Sequence, residues 1–284
     1  MSSENSSDSR LVYDPANISE YFDEYGMREW ERLVSTPIDE VSLYLHTHYL
    51  KQHIRAGMRV LEIGAGAGRF TQILAELGAR ILVGDISAGQ LALNRQQARQ
   101  LGFAPAVEDW AQMDISDLSR FAGEEFDSVV AFGGPFSYAL DCRDVALGEC
   151  LRVLKPGGTL LLSVVGLWGT AHANLHSILV LPPATNQRIT DSGDLSPRTW
   201  PERKTHFMHM FRAAELRGWL ENAGLEILAM STAGSLCLCW QELLPRIRTD
   251  PEQWAELLRM ELEACASPGC LDMGTHLIAV AKKP

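Results

Sequence analysis

Positive charge is in short supply in this chain. Lysine and arginine number 25 against 36 aspartates and glutamates, a formal net charge of −11. Nucleic-acid binders draw much of their affinity from phosphate contacts and usually carry a basic patch. The longest basic cluster here, Arg198 to Lys204, is short and interrupted by Glu202. Nucleic acid is therefore not an expected partner, and the acidity reads as solubility. The six cysteines (Cys142, Cys150, Cys237, Cys239, Cys265 and Cys270) form no CxxC pair. A zinc site needs closely spaced thiolates or imidazoles, so reduced structural thiols and no metal are expected. No stretch approaches the roughly 20 apolar residues that span a bilayer. The opening MSSENSSDSR lacks the apolar core of a targeting peptide. These absences predict a cytoplasmic protein without a membrane partner. What is present is ordinary for a globular chain: 284 residues, 46% hydrophobic and 21% charged.

Periodicity divides the chain. Residues 1–14 are Ser-rich and read as a disordered tail. Residues 15–56 read as an N-terminal helical extension, with Tyr21, Tyr25, Trp30 and Leu33 at near-helical spacing in one helix from Asn17 to Leu33 and a second helix from Ile38 to Ile54. From 57 to 284 short apolar runs alternate with helical patterns. Strands are expected at Arg59 to Ile63, Ile81 to Val83, Ala104 to Glu108, Phe126 to Phe132, Thr159 to Val165, Leu225 to Met230 and Thr275 to Ala281. Such alternation predicts an α/β fold with a mostly parallel, doubly wound sheet. The alternation stops over 166–211, which reads as an irregular lid, and 240–270 reads as a helical insertion. The Cys237-Leu238-Cys239 alternation fits a strand with both thiols on one face.

The segment VLEIGAGAGRF, Val60 to Phe70, reads as strand, glycine turn and helix start. Gly64 and Gly66 allow a backbone path that a side chain would obstruct. A ligand can then lie against the free N–H groups of the helix start. A dinucleotide fingerprint would be GxGxxG; here Arg69 stands where its third glycine belongs. Glu62, two residues before the first glycine, suits a cationic ligand better than a pyrophosphate. Asp85 ends the next strand, 21 residues after Gly64. It can accept both hydroxyls of a ribose or cap the helix that starts near Ser87. Asp114, in QMDISDL, is a third acidic point; Asp109 competes with it.

These segments together resemble the class I S-adenosylmethionine-dependent methyltransferases. LEIGAGAGRFT looks like the family's first motif, GDIS like its ribose-binding strand end, and MDISDL like its adenine-contacting segment. FDSVVAFGGPFSY looks like its fourth strand and active-site edge, and RVLKPGGTLLLSV is similar to the turn and strand that follow. The resemblance implies a seven-stranded Rossmann-like sheet with one antiparallel C-terminal strand. It implies S-adenosylmethionine as cofactor and S-adenosylhomocysteine as product. Glu62, Gly64, Ala65 and Gly66 would face the methionine portion. Asp85 would hold the ribose, with Ile86 and Gln90 beside the nucleoside. Met113, Asp114 and Ile115 would surround the adenine, and Phe132 and Gly133 would lie near the sulfur. Tyr21, Tyr25 and Arg32 are candidates for the methionine carboxylate.

Methyl transfer from such a donor needs an aligned acceptor, excluded water and, for a protonated acceptor, a base. Histidine suits that task near neutral pH. His209, in HMFRAAEL, is the first candidate because that segment resembles one bordering the acceptor pocket in similar enzymes. His206, His172 and His176 follow, and Tyr138 can orient the acceptor. The Trp-, Met- and Leu-rich lid favours a small apolar or aromatic acceptor. A non-catalytic S-adenosylmethionine binder and, less well supported, a nicotinamide-dependent oxidoreductase remain alternatives. The sequence leaves the acceptor and the oligomeric state open.

Overall fold

The computed structural model describes residues 12–284. Its strands are β1 (Arg59–Ile63), β2 (Arg80–Asp85), β3 (Val107–Gln112), β4 (Phe126–Ala131), β5 (Leu154–Val165), β6 (Asp194–Leu195), β7 (Met208–His209), β8 (Glu226–Thr232) and β9 (His276–Lys282). Seven form one sheet in the order β3-β2-β1-β4-β5-β9-β8, with β6 and β7 as a separate pair. β9 runs antiparallel to both its neighbours, and every other pairing in the large sheet is parallel. The near-continuous apolar runs of β1, β4 and β5 fit strands buried on both faces. Alternation decides which face each residue serves. Leu61, Val129 and Leu162 join one core, while Val60, Val130 and Leu161 join the other.

The helices are α1 (Pro15–Tyr25), α2 (Arg28–Glu31), α3 (Pro37–His53), α4 (Arg69–Glu76), α5 (Ala88–Leu101), α6 (Pro135–Tyr138), α7 (Arg143–Val153), α8 (Leu167–Ala173), α9 (Leu175–Leu179), α10 (Pro183–Ser192), α11 (Ala213–Asn222), α12 (Leu244–Arg248) and α13 (Pro251–Ala266). Leu45 of α3, Leu74 of α4, Leu91 of α5 and Cys265 of α13 cover one sheet face. Phe136 of α6, Leu147 of α7 and Leu216 of α11 cover the other. The result is the doubly wound arrangement expected. Among the described residues, no helix is long and apolar enough to cross a membrane.

Several local expectations need correction. Residues 1–11 of the expected tail lie outside the described residues, but Val12 and Tyr13 are tied down: both backbone N–H groups donate to Asp141. The single helix expected to Leu33 breaks at Gly26, whose φ of 57 ends α1. The strand expected from Ala104 begins at Val107, because Pro105 sits in a short 3-10 turn over Ala104–Ala106 and has no N–H for a ladder. The Cys237 segment is a 3-10 turn, with Cys237 buried and Cys239 exposed. The irregular lid contains α8, α9, α10 and the β6–β7 hairpin.

That hairpin also reassigns His209. Its ring is 2% exposed, with Nδ1 2.7 Å from Asp194 and Nε2 2.7 Å from Glu215. Both nitrogens are committed, so the imidazole closes the hairpin onto α11 and is not free to serve as a base. Burial works against its charged form and Arg143 faces it, but the bonds to Asp194 and Glu215 outweigh both and raise its pKa. Burial likewise lifts the Glu215 carboxyl, and His209 more than reverses this. The bridge therefore stabilises fully below the ordinary histidine value of 6.5 and weakens as pH rises through the raised folded value. On the acid side Glu215's share fades as pH falls through its lowered value. His209→Gln should cost about 1–3 kcal/mol in slightly acid solution and progressively less in alkaline solution. Urea denaturation across pH measures this; a pH-independent loss would contradict the ion-pair account.

Candidate active site

A cavity of about 230 Å³ opens at the carboxyl edge of the parallel strands. That is where open α/β sheets bind ligands, since loops there leave a crevice between helices. Of the residues singled out in the sequence, Tyr21, Tyr25, Arg32, Gly64, Gly66, Asp85, Ile86, Gln90, Met113, Ile115, Phe132, Gly133, Tyr138 and His206 all line it.

The glycine turn forms the floor. A Cβ on Gly64 would press into the Pro135 ring, and one on Gly66 would come within 2.9 Å of Glu29 Cγ. Both have positive φ, 68 and 53, so space and backbone both demand glycine. Ala65 is buried within the turn, off the cavity wall. Glu62 also sits behind the wall, 2% exposed. Burial pushes its pKa up to about 8 against a hydrogen bond from Thr71, and Asp85 nearby raises it further. Its Oε2 has no hydrogen-bond partner.

Asp85 joins three elements. Its Oδ2 accepts from Gly66 N at 2.7 Å and its Oδ1 from Ser87 N at 2.8 Å. Asp85 thus serves the start of α5 and also faces the cavity. Burial raises its pKa to about 6, partly offset by these two bonds.

The N-terminal helix spans the cavity as a strap. Asp23 accepts from Ser87 Oγ and from Gly89 N at 2.8 Å. Gln90 Nε2 donates to the carbonyls of Phe22 and Gly26, at 2.8 and 3.1 Å, while its Oε1 is buried without a partner. Glu29, which sequence reasoning missed, forms a 2.7 Å ion pair with Arg32. Burial works against the Arg32 guanidinium, and the Glu29 carboxylate more than compensates. Tyr13, also missed, donates to Asp114 at 2.6 Å. Asp114 accepts from Ser116 as well and does not line the cavity; Tyr13 does. The expectation that Asp114 surrounds a ligand base is corrected accordingly.

The far end is aromatic. His206 stacks on Tyr21 with centroids 4.4 Å apart and planes at 9°. Tyr138 Oη lies 3.3 Å from His206 Nε2, and Phe22 meets the Tyr138 ring edge-on at 5.4 Å. Burial, aided by the Arg203 cation, pushes His206 down to about 4, so its imidazole is neutral near pH 7. Burial raises the Tyr138 hydroxyl above its usual value. His276, absent from the sequence candidates, lines the same cavity.

Comparison with known proteins agrees with this layout. A family model described as a methyltransferase domain matches residues 61–162. The chain is 26% identical over 172 residues to the ubiquinone biosynthesis O-methyltransferase of Xanthomonas axonopodis pv. citri (strain 306), covering 61% of this chain and 64% of that protein. Among solved structures it resembles the [4+2]-cyclase SpnF, with TM-score 0.59, 18% identity and coverage of 97% and 98% of the two chains. It also resembles an S-adenosylmethionine dependent methyltransferase from Mesorhizobium loti, with TM-score 0.57, 18% identity and coverage of 87% and 100%. At such identities these structures speak for the fold alone. Residues 61–162, the strand, turn and edge segments that build the cavity floor, thus match a methyltransferase domain, and the chain is similar to S-adenosylmethionine-dependent methyltransferases over that region.

Proposed function

We propose that this chain transfers a methyl group from S-adenosylmethionine to a small, ring-bearing acceptor held at the aromatic end of the cavity. The observation that carries this reading is continuity. One cavity joins the Gly64–Gly66 turn, Asp85 and Gln90 to Tyr21, Tyr138 and His206.

The residues present fit the donor. Two buried oxygens, Glu62 Oε2 and Gln90 Oε1, lack partners, and a buried unsatisfied acceptor costs about 1–3 kcal/mol. The cluster of buried carboxylates favours a cationic ligand. Asp85 would take the ribose hydroxyls, Gln90 the nucleoside, and Ile86, Met113 and Ile115 the adenine faces. Arg32 and Glu29 carry charges opposite to those of a methionine carboxylate and ammonium, with Tyr25 beside them. When bound, the donor supplies a sulfonium-activated methyl.

The chain's own work is then alignment and proton handling. Phe132 and Gly133 border the place of transfer, and the strap excludes water. His206 is held more loosely than His209, with Nε2 3.3 Å from Tyr138 Oη and Nδ1 3.4 Å from Arg203 Nη2, so an acceptor hydroxyl can replace one of these long contacts at the nitrogen that keeps its lone pair. The acceptor's O–H bond would break with its proton passing to that nitrogen, and the freed oxygen pair would form the bond to the methyl carbon as the methyl–sulfur bond breaks, its electron pair staying on the sulfur of the leaving S-adenosylhomocysteine. The Xanthomonas relative is named for O-methylation in ubiquinone biosynthesis, which supports a hydroxylated ring.

Incubating the protein with isotopically labelled S-adenosylmethionine and catechol or a naphthoquinol should give labelled methyl ethers by mass spectrometry. Binding of NAD(H) without binding of S-adenosylhomocysteine would overturn the reading. Asp85→Asn should weaken S-adenosylhomocysteine binding at least about tenfold, or about 1.4 kcal/mol, by calorimetry. Wild-type affinity should also fall as pH drops below the Asp85 value of about 6, since a protonated carboxyl loses acceptor capacity. Glu62, with its pKa near 8, is mostly protonated at neutral pH. A cation beside it favours ionisation, so binding should release protons. Calorimetry in buffers of different ionisation enthalpy should detect this, and Glu62→Gln should abolish it.

A further inference from the structure

His276 is the one cavity imidazole that the Tyr138–His206 pair does not engage. It opens β9 opposite Val165 at the carboxyl end of β5. Its backbone is pinned: its carbonyl accepts from Ala233 N at 2.9 Å and from Thr232 Oγ1 at 3.1 Å. The ring lines the same cavity as Arg32, Phe132 and Gly133. Nδ1 lies 3.3 Å from Thr275 Oγ1, while Nε2 has no hydrogen-bond partner among the described residues. Two groups that can carry positive charge face it. Arg32 comes from α2's end and is paired with Glu29. His46 comes from α3, bonded to the Ser42 carbonyl at 2.8 Å and edge-on to Phe132 at 4.8 Å. Burial first, then Arg32 and His46, push His276 down to about 3. A ring so placed does not take up a proton near neutral pH, so it acts by hydrogen bonding. An unengaged polar nitrogen on a mostly apolar wall costs free energy until a ligand meets it.

We propose that His276 Nε2 is a positioning contact for the acceptor, bonding a second ring oxygen while Tyr138 and His206 attend the one that is methylated. The site then selects dioxygenated aromatic rings over monohydroxylated ones. A site built to hydrogen-bond an oxygen discriminates strongly against analogues that lack it, because its own polar group is left unpaired. This inference rests on the methyl-transfer reading above. Asp23 and Gln90 belong to the donor end and are not involved; Arg32 faces His276 but is held in its ion pair with Glu29.

The test uses the full chain with catechol and phenol as probe acceptors. His276→Phe keeps a planar ring and removes both nitrogens; His276→Asn keeps a short hydrogen-bonding group. His276→Phe should raise KM for catechol about tenfold, the loss of about one hydrogen bond. It should leave phenol kinetics and S-adenosylhomocysteine affinity unchanged, and His276→Asn should recover part of the loss. Unchanged catechol kinetics, or an equal fall in kcat for both probes, would overturn the proposal while leaving methyl transfer intact. If neither probe turns over, ring-labelled histidine NMR on the S-adenosylhomocysteine complex decides. Catechol should shift the His276 resonances, and no shift overturns the proposal. Failure to bind S-adenosylhomocysteine at all would remove the methyl-transfer reading, and this inference with it.

Discussion

Everything at the carboxyl edge of the sheet hangs on the buried carboxylate of Asp85. One oxygen holds the glycine turn after β1 through Gly66 N, and the other holds the entry to α5 through Ser87 N. The same entry is gripped from outside by Asp23, through Ser87 Oγ and Gly89 N. Turn, helix start and strap are thereby registered against one another by two carboxylates and four backbone or hydroxyl donors. Burying Asp85 is costly, as its raised pKa records. The two N–H bonds offset only part of that cost, since hydrogen bonding favours the charged form while desolvation opposes it.

That constraint gives the cavity a polarity along its length. At the turn end, Glu62 and Asp85 are carboxyls with elevated pKa values, the state buried acids take when no compensating cation is near. Elsewhere on the cavity wall His206 and His276 are imidazoles held neutral, and Arg32 and Glu29 form a closed pair. One end is therefore electrostatically complementary to a cation, and the other offers neutral hydrogen-bonding nitrogens among aromatic rings. A cationic donor and an uncharged acceptor would sort themselves into these ends without further steering.

Much of this was legible in the sequence, for a local reason. Glycine spacing, strand-end acids and apolar alternation are short-range signals, so the GAGAG turn, Asp85 and the alternation of strands and helices could be read directly, while Gln90 came only with the family resemblance. What escaped arrives by tertiary contact. Glu29 reaches Gly66 only because α1 and α2 fold back over the sheet. Tyr13 claims Asp114 across 101 positions, in a stretch whose composition reads as tail. His276 looks like an ordinary strand residue until β9 inserts between β5 and β8. His209 erred the other way: its neighbourhood in sequence suggested a base, but the β6–β7 hairpin brings Asp194, 15 positions earlier, onto one nitrogen and α11 brings Glu215 onto the other.

The positions of these residues along the chain also separate what is shared from what is particular. The methyltransferase-domain match spans residues 61–162. It contains Glu62, the glycine turn, Asp85, Ile86, Gln90, Met113, Ile115, Phe132 and Gly133, most of the proposed donor end; Tyr25, Glu29 and Arg32 lie before it. Most of the proposed acceptor end lies outside it: Tyr21 and Phe22 come from the strap, His206 from the segment before β7, and His276 from β9. Of the groups argued to meet the acceptor, only Tyr138 falls within the matched span. The matched βα core thus holds most of the proposed donor half, whereas the proposed acceptor half is assembled mainly from three segments outside it. That division follows from the fold itself: parallel strands ending at one edge impose a common floor, and the connections above it need only keep water out and reach the transferred methyl.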